Sequence, residues 1–391
     1  MAGRPPNRNF SELGTTVFSV MSALAVKHGA VNLGQGFPDT DGPEAIRAEA
    51  ARRLVAGPNQ YANMLGVPEL RQAVAAHDKR FYGLDYDWQS EVIVTLGATE
   101  AIADCLMALL SPGDEAVVLA PSYDCYLPMV KQAGSAAKMV ALTPPDWTLS
   151  KAALEAAFTD KTKLILLNTP MNPAAKVLSR AELELIADAV KAHDTYAVCD
   201  EVYEHITFDG RPHIPLATLP GMRERCLRIG SAGKTFSLTG WKVGYVSGPA
   251  RLISVVEKAH QFVTFATNGA LQQGVALGLG LPDSYFTGLA AEQQKKRDTL
   301  RPVLDRVGLP TLPCHGTYFI TSDISGLGFN GGDYEFCRHL TEAAGVTAVP
   351  VSVFYDGSGV EAPTHLIRFC FAKKPEVLDE ASRRLEKYFA R

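Results

Sequence analysis

Two short apolar runs, Lys163-Leu-Ile-Leu-Leu-Asn168 and Ala197-Val-Cys-Asp200, each end on a polar side chain, with an amphipathic stretch at 179–192 between them. A short apolar run without alternation, bounded by turn residues, reads as a buried strand. The pattern repeats along the chain: 91–96, 115–120, 163–168, 195–200 and 225–229 read as strands, and 97–110 and 179–192 as helices. Turn clusters such as Ser111-Pro-Gly-Asp114 and Asp209-Gly-Arg-Pro212 separate the units. Strand and helix in alternation predict an α/β fold, and open sheets of that class bind ligands at the C-terminal ends of their strands. From about Leu281 the texture changes to a long charged helix at 285–306, strands near 316–321 and 365–371, and a final amphipathic helix after Pro375. That change predicts a smaller α+β domain.

Residues suited to chemistry stand near these strand ends. Lys234 lies in Ser231-Ala-Gly-Lys234-Thr-Phe-Ser-Leu-Thr-Gly-Trp-Lys242-Val-Gly, ringed by small residues, with a second lysine eight positions on. The setting leaves room for a bulky planar group joined to the amine, which solvation of a lysine would not require. Gly97-Ala98-Thr99 follows a strand and opens a helix, so its N–H groups and the dipole end form an anion site; as plain structure they are a helix start. Arg368 lies inside the apolar run Leu366-Ile-Arg-Phe-Cys-Phe371, where a guanidinium is costly unless an anion meets it, a ligand's or an internal carboxylate's. Two look-alike motifs fail. The leading glycine of a nucleoside-triphosphate loop ending at Gly233-Lys234-Thr235 would fall on Arg228, and the third glycine of a dinucleotide loop starting at Gly34-Gln-Gly36 would fall on Asp39.

Composition excludes several classes. The 391 residues suggest two or three domains, and 47% hydrophobic residues is ample for their cores. Lys plus Arg total 38 against 42 Asp plus Glu, a net of −4, so there is no general basic field for nucleic acid or an anionic membrane, and any phosphate site must be local. The longest apolar stretches fall far short of the roughly 20 residues that span a bilayer. The N-terminal Met-Ala-Gly-Arg-Pro-Pro-Asn-Arg-Asn lacks the apolar core of a secretory signal, so a cytoplasmic enzyme is expected. Seven scattered cysteines without a Cys-x-x-Cys pair indicate neither a disulfide framework nor a zinc site, and no metal is expected. Cys199, between Val198 and Asp200, reads as a small core residue rather than a nucleophile.

Asn168-Thr-Pro-Met-Asn172-Pro, then Asp200-Glu-Val-Tyr203, then Ser231-x-x-Lys234 with Gly240-Trp-Lys242-Val-Gly behind it, resembles in that order the fold type I aminotransferases that use pyridoxal 5′-phosphate. Further segments narrow the likeness to the branch holding kynurenine/glutamine aminotransferases and bacterial methionine aminotransferases. They are Asn32-Leu-Gly-Gln-Gly36-Phe-Pro-Asp39, Asn59-Gln-Tyr61, Tyr123-Asp-Cys-Tyr126, Gly316-Thr-Tyr-Phe319, Pro350-Val-Ser-Val-Phe-Tyr355 and Ile367-Arg368-Phe-Cys-Phe371. The likeness runs from about Val31 to the C-terminus. It implies a mostly parallel sheet flanked by helices, a large cofactor-binding domain at 43–281, and a small domain made of 1–42 and 282–391.

The resemblance also implies roles. Lys234 carries the cofactor and moves the substrate proton, Asp200 partners the ring nitrogen, and Tyr203 and Asn172 hydrogen-bond the phenolic oxygen. Tyr123 stacks on the ring, while Ala98, Thr99, Ser231 and Lys242 hold the phosphate. Lys242 stands where many aminotransferases carry arginine, which keeps the charge and loses the bidentate fork. The substrate α-carboxylate meets Arg368, helped by Asn172 and the Gly36 N–H. A homodimer with shared sites is implied, with Tyr61 reaching the neighbour's phosphate and Phe265 the neighbour's substrate pocket, which Phe18 also lines. Its partners are an amino acid and a 2-oxo acid. Because no second arginine is evident to pair a side-chain carboxylate, methionine, glutamine or aromatic, kynurenine-like donors are expected ahead of aspartate. The fold also hosts other reactions, which leaves a cysteine-conjugate β-lyase or an N-succinyl-diaminopimelate aminotransferase as alternatives.

Overall fold

The apolar runs at 163–168 and 195–200 are neighbouring parallel strands at the heart of a seven-stranded sheet. The computed structural model describes residues 4, 6–11 and 13–390; residues 1–3, 5 and 12, within the segment expected to start the smaller domain, and residue 391 at its far end lie outside the described residues. The strands there are β1 (Val31–Asn32), β2 (Val92–Thr95), β3 (Glu115–Ala120), β4 (Ala136–Ala141), β5 (Thr162–Asn168), β6 (Tyr196–Asp200), β7 (Cys226–Ser231), β8 (Gly244–Ser247), β9 (Phe319–Asp323), β10 (Val346–Thr347), β11 (Val349–Pro350) and β12 (Leu366–Cys370).

The large sheet runs β2-β8-β7-β6-β5-β3-β4. Pairs from β7 to β4 are parallel, and β8 is antiparallel to both β7 and β2. Side chains alternate across it. Leu164 and Leu166 enter one core with Ala101, Ile102 and Cys105 of the helix Gly97–Leu109. Ile165 and Leu167 enter the other with Leu183, Ile186 and Val190 of the helix Arg180–Ala192, which starts on a capping box of Ser179 and Glu182. Burial on both faces is why these strands lack alternation in the sequence.

Register then sets the polar ends side by side. Asn168 pairs with Asp200, and Ser231 with Gly244. A Cβ on Gly244 would come within 2.5 Å of the Gly97 carbonyl carbon, so only glycine lets β8 pass beneath the turn that opens the helix Gly97–Leu109.

A three-stranded antiparallel sheet, β11-β12-β9, places Arg368 in mid-strand opposite Val349 and Thr321. β1 pairs in parallel with β10, and the Cys370 N–H donates to the Leu33 carbonyl at 2.6 Å, which ties the N-terminal segment to the C-terminal one. The helix expected at 285–306 begins at Asp283, directly after Pro282. The strand expected from 316 begins only at Phe319, because Thr317 takes φ +66° and breaks the extended run. Strands β4 and β8, and the two-residue strands β1, β10 and β11, are not among those the sequence predicts. Among the described residues no helix is long and apolar enough to cross a membrane.

Candidate active site

The C-terminal ends of β5, β6 and β7 open into a cavity of about 500 Å³, closed on its far side by Phe319 and Arg368 and by Phe18, Gln35, Gly36 and Phe37 of the N-terminal segment. Asp200 lies at its floor. One of its oxygens accepts the Tyr126 hydroxyl at 2.5 Å and the other only a long bond from the Val202 N–H at 3.4 Å. Burial lifts this carboxyl to about 6, although the Tyr126 hydroxyl, the Val202 amide and Lys234 all favour its charged form. Asn168 stiffens the neighbouring turn, since its Nδ2 donates to the Asp200 carbonyl at 2.9 Å and its Oδ1 accepts the Asn172 N–H at 2.8 Å.

Lys234 projects from the short helix Ala232–Thr235 that follows β7. Its Nζ donates to the Tyr318 hydroxyl at 3.0 Å and to the Gly36 carbonyl at 3.4 Å, with the Tyr203 and Tyr318 rings each 5.6 Å away. The side chain is open to the cavity but otherwise enclosed by protein. Burial lowers the amine to about 8, aided by the charges of Arg368 and Lys242 and opposed by Cys370 and Asp200. The Tyr203 phenol is pushed up by burial and stands edge-on to Tyr318 with ring centroids 5.2 Å apart.

At the other end of the cavity, Gly97, Ala98 and Thr99 form the first turn of their helix beside Ser231 and Lys242. A Cβ on Gly97 would lie 3.1 Å from the Lys242 Nζ, so the ammonium sits directly against the helix start. Open backbone N–H groups, the positive end of the helix dipole and an ammonium together make an anion site. Glu100 in the same turn is engaged elsewhere, accepting the Leu96 N–H and facing His260 Nδ1 at 3.0 Å.

Arg368 is fully buried. Its Nη1 donates to Asn172 Oδ1 at 2.7 Å and its Nη2 to the Gly34 carbonyl at 2.9 Å, while Nε has no hydrogen-bond partner. Phe319 lies 4.0 Å below the guanidinium, with Phe18 and Phe354 at 5.3 and 5.2 Å. Among the described residues no carboxylate pairs with it, so the internal salt bridge is not what this strand contains. A buried guanidinium balanced only by neutral oxygens and ring faces favours an incoming anion.

The cavity thus brings together Phe18, Gly36, Ala98, Thr99, Tyr123, Asn172, Asp200, Tyr203, Ser231, Lys234, Lys242 and Arg368. It does not bring in Tyr61 or Phe265. Tyr61 is 86% exposed, meets the Phe265 ring edge-on at 5.5 Å, and neither lines the cavity of its own chain. Sequence reading gave no role to Asn168, Tyr126 or Tyr318, all inside recognised segments; spacing located the segments but not where these side chains point. Cys199 is a core residue, its thiol raised by a hydrogen bond with Cys226 and by burial.

Lysine, strand-end aspartate, helix-start anion site and buried arginine around one cavity have a counterpart among known proteins: the family "Aminotransferase class I and II" matches residues 28–385. This chain belongs to that family. It is 41% identical over 380 residues to the methionine aminotransferase of Escherichia coli K12, covering 97% of both chains. It is 38% identical over 411 residues to the kynurenine–oxoglutarate transaminase of Dictyostelium discoideum, covering 96% of this chain and 94% of that one. The solved N-succinyldiaminopimelate aminotransferase of Mycobacterium tuberculosis matches it with a TM-score of 0.94 at 41% identity, over 98% of this chain and 100% of that one. The chain is therefore an aminotransferase of fold type I, an enzyme acting on amino acids and 2-oxo acids.

Proposed function

We propose that this aminotransferase holds pyridoxal 5′-phosphate and exchanges the α-amino group of methionine, glutamine or an aromatic, kynurenine-like amino acid with a 2-oxo acid by a ping-pong route. The observation that carries the reading is Arg368, fully buried without a carboxylate and facing the same cavity as Lys234, Asp200 and the anion site. When bound, the cofactor supplies an electron sink for the charge left at the substrate Cα. The residues fit such a group. Asp200 has an oxygen with only one long bond, and it keeps a proton on the ring nitrogen, a cationic contact that lowers its own raised pKa. Tyr203 and Asn172 donate to the phenolic oxygen, Tyr123 covers the ring, and Ala98, Thr99, Ser231 and Lys242 hold the phosphate.

Lys234 would hold the cofactor, and its free amine would take the proton from the Cα of the amino acid in one half-reaction and deliver one to the Cα of the oxo acid in the other. A lysine at its ordinary 10.5 would be almost entirely charged at neutral pH; near 8, an appreciable neutral fraction is ready to act as base. The Arg368 fork, with Asn172 and the Gly36 N–H, binds the α-carboxylate of both the amino acid and the oxo acid. In this reading the site is completed by a second copy of the chain, whose Tyr61 reaches the phosphate and whose Phe265 lines the substrate pocket. We assign the large domain to 43–281 and the small one to 1–42 with 282–391, so that the cavity lies at their junction.

The cations lining the cavity among the described residues are Lys234, Lys242 and Arg368, each with a role above. A second substrate carboxylate would enter without a partner, which supports a neutral side chain. Similarity to the Mycobacterium tuberculosis enzyme favours N-succinyl-diaminopimelate as a second reading, one that needs a further cation from the partner copy. A donor panel decides: kcat/KM for methionine, glutamine, phenylalanine and kynurenine should exceed that for aspartate and N-succinyl-diaminopimelate by about tenfold or more. The reverse order overturns the neutral pocket. Release of ammonia and pyruvate from a cysteine conjugate without any oxo acid acceptor would mark the β-lyase instead.

A further inference from the structure

Tyr318 is buried, and its hydroxyl lies 3.0 Å from the Lys234 amine and 3.0 Å from the Gly36 carbonyl oxygen. A carbonyl can only accept, so the phenol gives its single proton to Gly36 and turns a lone pair toward Lys234. The other oxygen near that amine is the same carbonyl, at 3.4 Å. The backbone is strained to achieve this. Thr317, β-branched and buried, takes φ +66°, a conformation such residues rarely adopt. The turn is fastened to the chain just beyond Tyr203: the Thr317 N–H donates to the Ile206 carbonyl at 2.8 Å, and a Cβ on Gly316 would come within 2.6 Å of that same oxygen. It swings Tyr318 out of line with β9, and edge contacts with Tyr203 at 5.2 Å and Phe319 at 4.9 Å fix its ring.

Phenylalanine would fill the same space. A buried hydroxyl is destabilising unless it is bonded, and both of its bonds here go to groups of the site. Resting on the reading of Lys234 as the cofactor lysine, we propose that Tyr318 is a positioning residue: its phenolic oxygen receives the Lys234 amine whenever that amine is not joined to the cofactor, holding it beside Gly36 and stabilising its charged form. The charged and titratable groups around the amine are Asp200 of β6, Arg368 and Cys370 of β12, Lys242 beyond the short helix, and Tyr203. Burial, Arg368 and Lys242 work against the charge. Asp200 and Cys370 work for it, and the Tyr318 oxygen, 3.0 Å from the amine, should add to them as an acceptor, so its loss should lower the amine's pKa further.

The test is a ¹³C NMR titration of the Lys234 ε-carbon, assigned by its absence from Lys234→Ala, in the full chain both cofactor-free and loaded with pyridoxamine 5′-phosphate. Tyr318→Phe should lower the Lys234 pKa by about one unit, tenfold in its protonation constant. The acid limb of kcat should move down by the same amount, with KM for the amino acid unchanged. A pKa equal to wild type overturns the proposal, because a purely structural role would change folding and not this titration. 3-Fluorotyrosine at position 318 keeps the shape but makes the oxygen a poorer acceptor, so a smaller fall is expected. No fall there overturns the proposal even where the phenylalanine variant does not fold. Cofactor found on another lysine would overturn the reading of Lys234, while the cofactor-free titration would still decide the role of Tyr318.

Discussion

Burial tunes Lys234 and Asp200 toward the roles proposed for them: the same low-dielectric surroundings bring the amine down to about 8 and the carboxyl up to about 6. Lys234→Ala should abolish the visible absorbance of the bound cofactor and reduce turnover by at least about 10³-fold, since attachment and proton transfer are lost together. Asp200→Asn should keep part of the cofactor and slow proton removal. Near-normal transamination by either variant would overturn that residue's role. Arg368→Ala should raise KM for amino acid and oxo acid alike, by about 10- to 100-fold for a lost charged hydrogen-bond pair, with cofactor absorbance intact. A rise confined to one of the two substrates would place Arg368 on a side-chain pocket.

At the scale of elements, the helix start that forms the anion site is anchored from behind. His260, on the helix Ala250–Val263, is fully buried with Nδ1 3.0 Å from Glu100 and 3.5 Å from Asp104. Its Nε2 lies 3.0 Å from the Met64 carbonyl, which fastens the segment leading from Tyr61. Burial alone would lower this histidine, but the facing carboxylates of Asp104 and Glu100 prevail and raise it to about 9. A folded-state pKa above the ordinary 6.5 means that the histidine's stabilisation is lost as pH rises through about 9, and because burial lifts the Asp104 carboxyl to about 6 the pair also weakens as pH falls below that value. His260→Ala removes the cation facing two buried carboxylates, leaving Glu100 with the Leu96 N–H and Asp104 without a hydrogen-bond partner, and should cost about 3–5 kcal/mol. The fall in Tm against wild type should be large at pH 7 to 8, between the two pKa values, and shrink toward pH 10; a constant difference would contradict the ion pair. This cluster was not legible in the sequence, because Glu100 and His260 are 160 positions apart and bear no motif. The buried strands were legible because burial on both faces leaves an unbroken apolar run. β4, Ala-Ala-Lys-Met-Val-Ala, and β8, four residues starting at Gly244, escaped because alanine, lysine and glycine carry little strand signal. The turn at Thr317 escaped because nothing in its residue type predicts φ +66°.

At the scale of the whole molecule, the roles proposed for Tyr61 and Phe265, neither of which lines the cavity of its own chain, require a second copy. Phe262, 84% exposed, and Val263 extend the apolar surface next to them. The domain division and the roles of these residues came from resemblance, since neither periodicity nor spacing reports what lies across an interface. Mixing inactive Tyr61→Ala with inactive Lys234→Ala chains should restore up to about a quarter of wild-type activity, because half of randomly mixed dimers would be hybrids with one intact site of two. Absence of recovery in verified hybrids would return Tyr61 to its own chain or remove it from the site.

The central claim is that Lys234 is the residue to which the cofactor is joined, in the cavity that Arg368 closes. Borohydride reduction of the cofactor-loaded protein, followed by peptide mass spectrometry, tests it directly. The pyridoxyl group should be found on the peptide containing Lys234 and be absent from the Lys234→Ala protein. A label on Lys242 or any other lysine, or no label in a protein that still transaminates, would contradict the account.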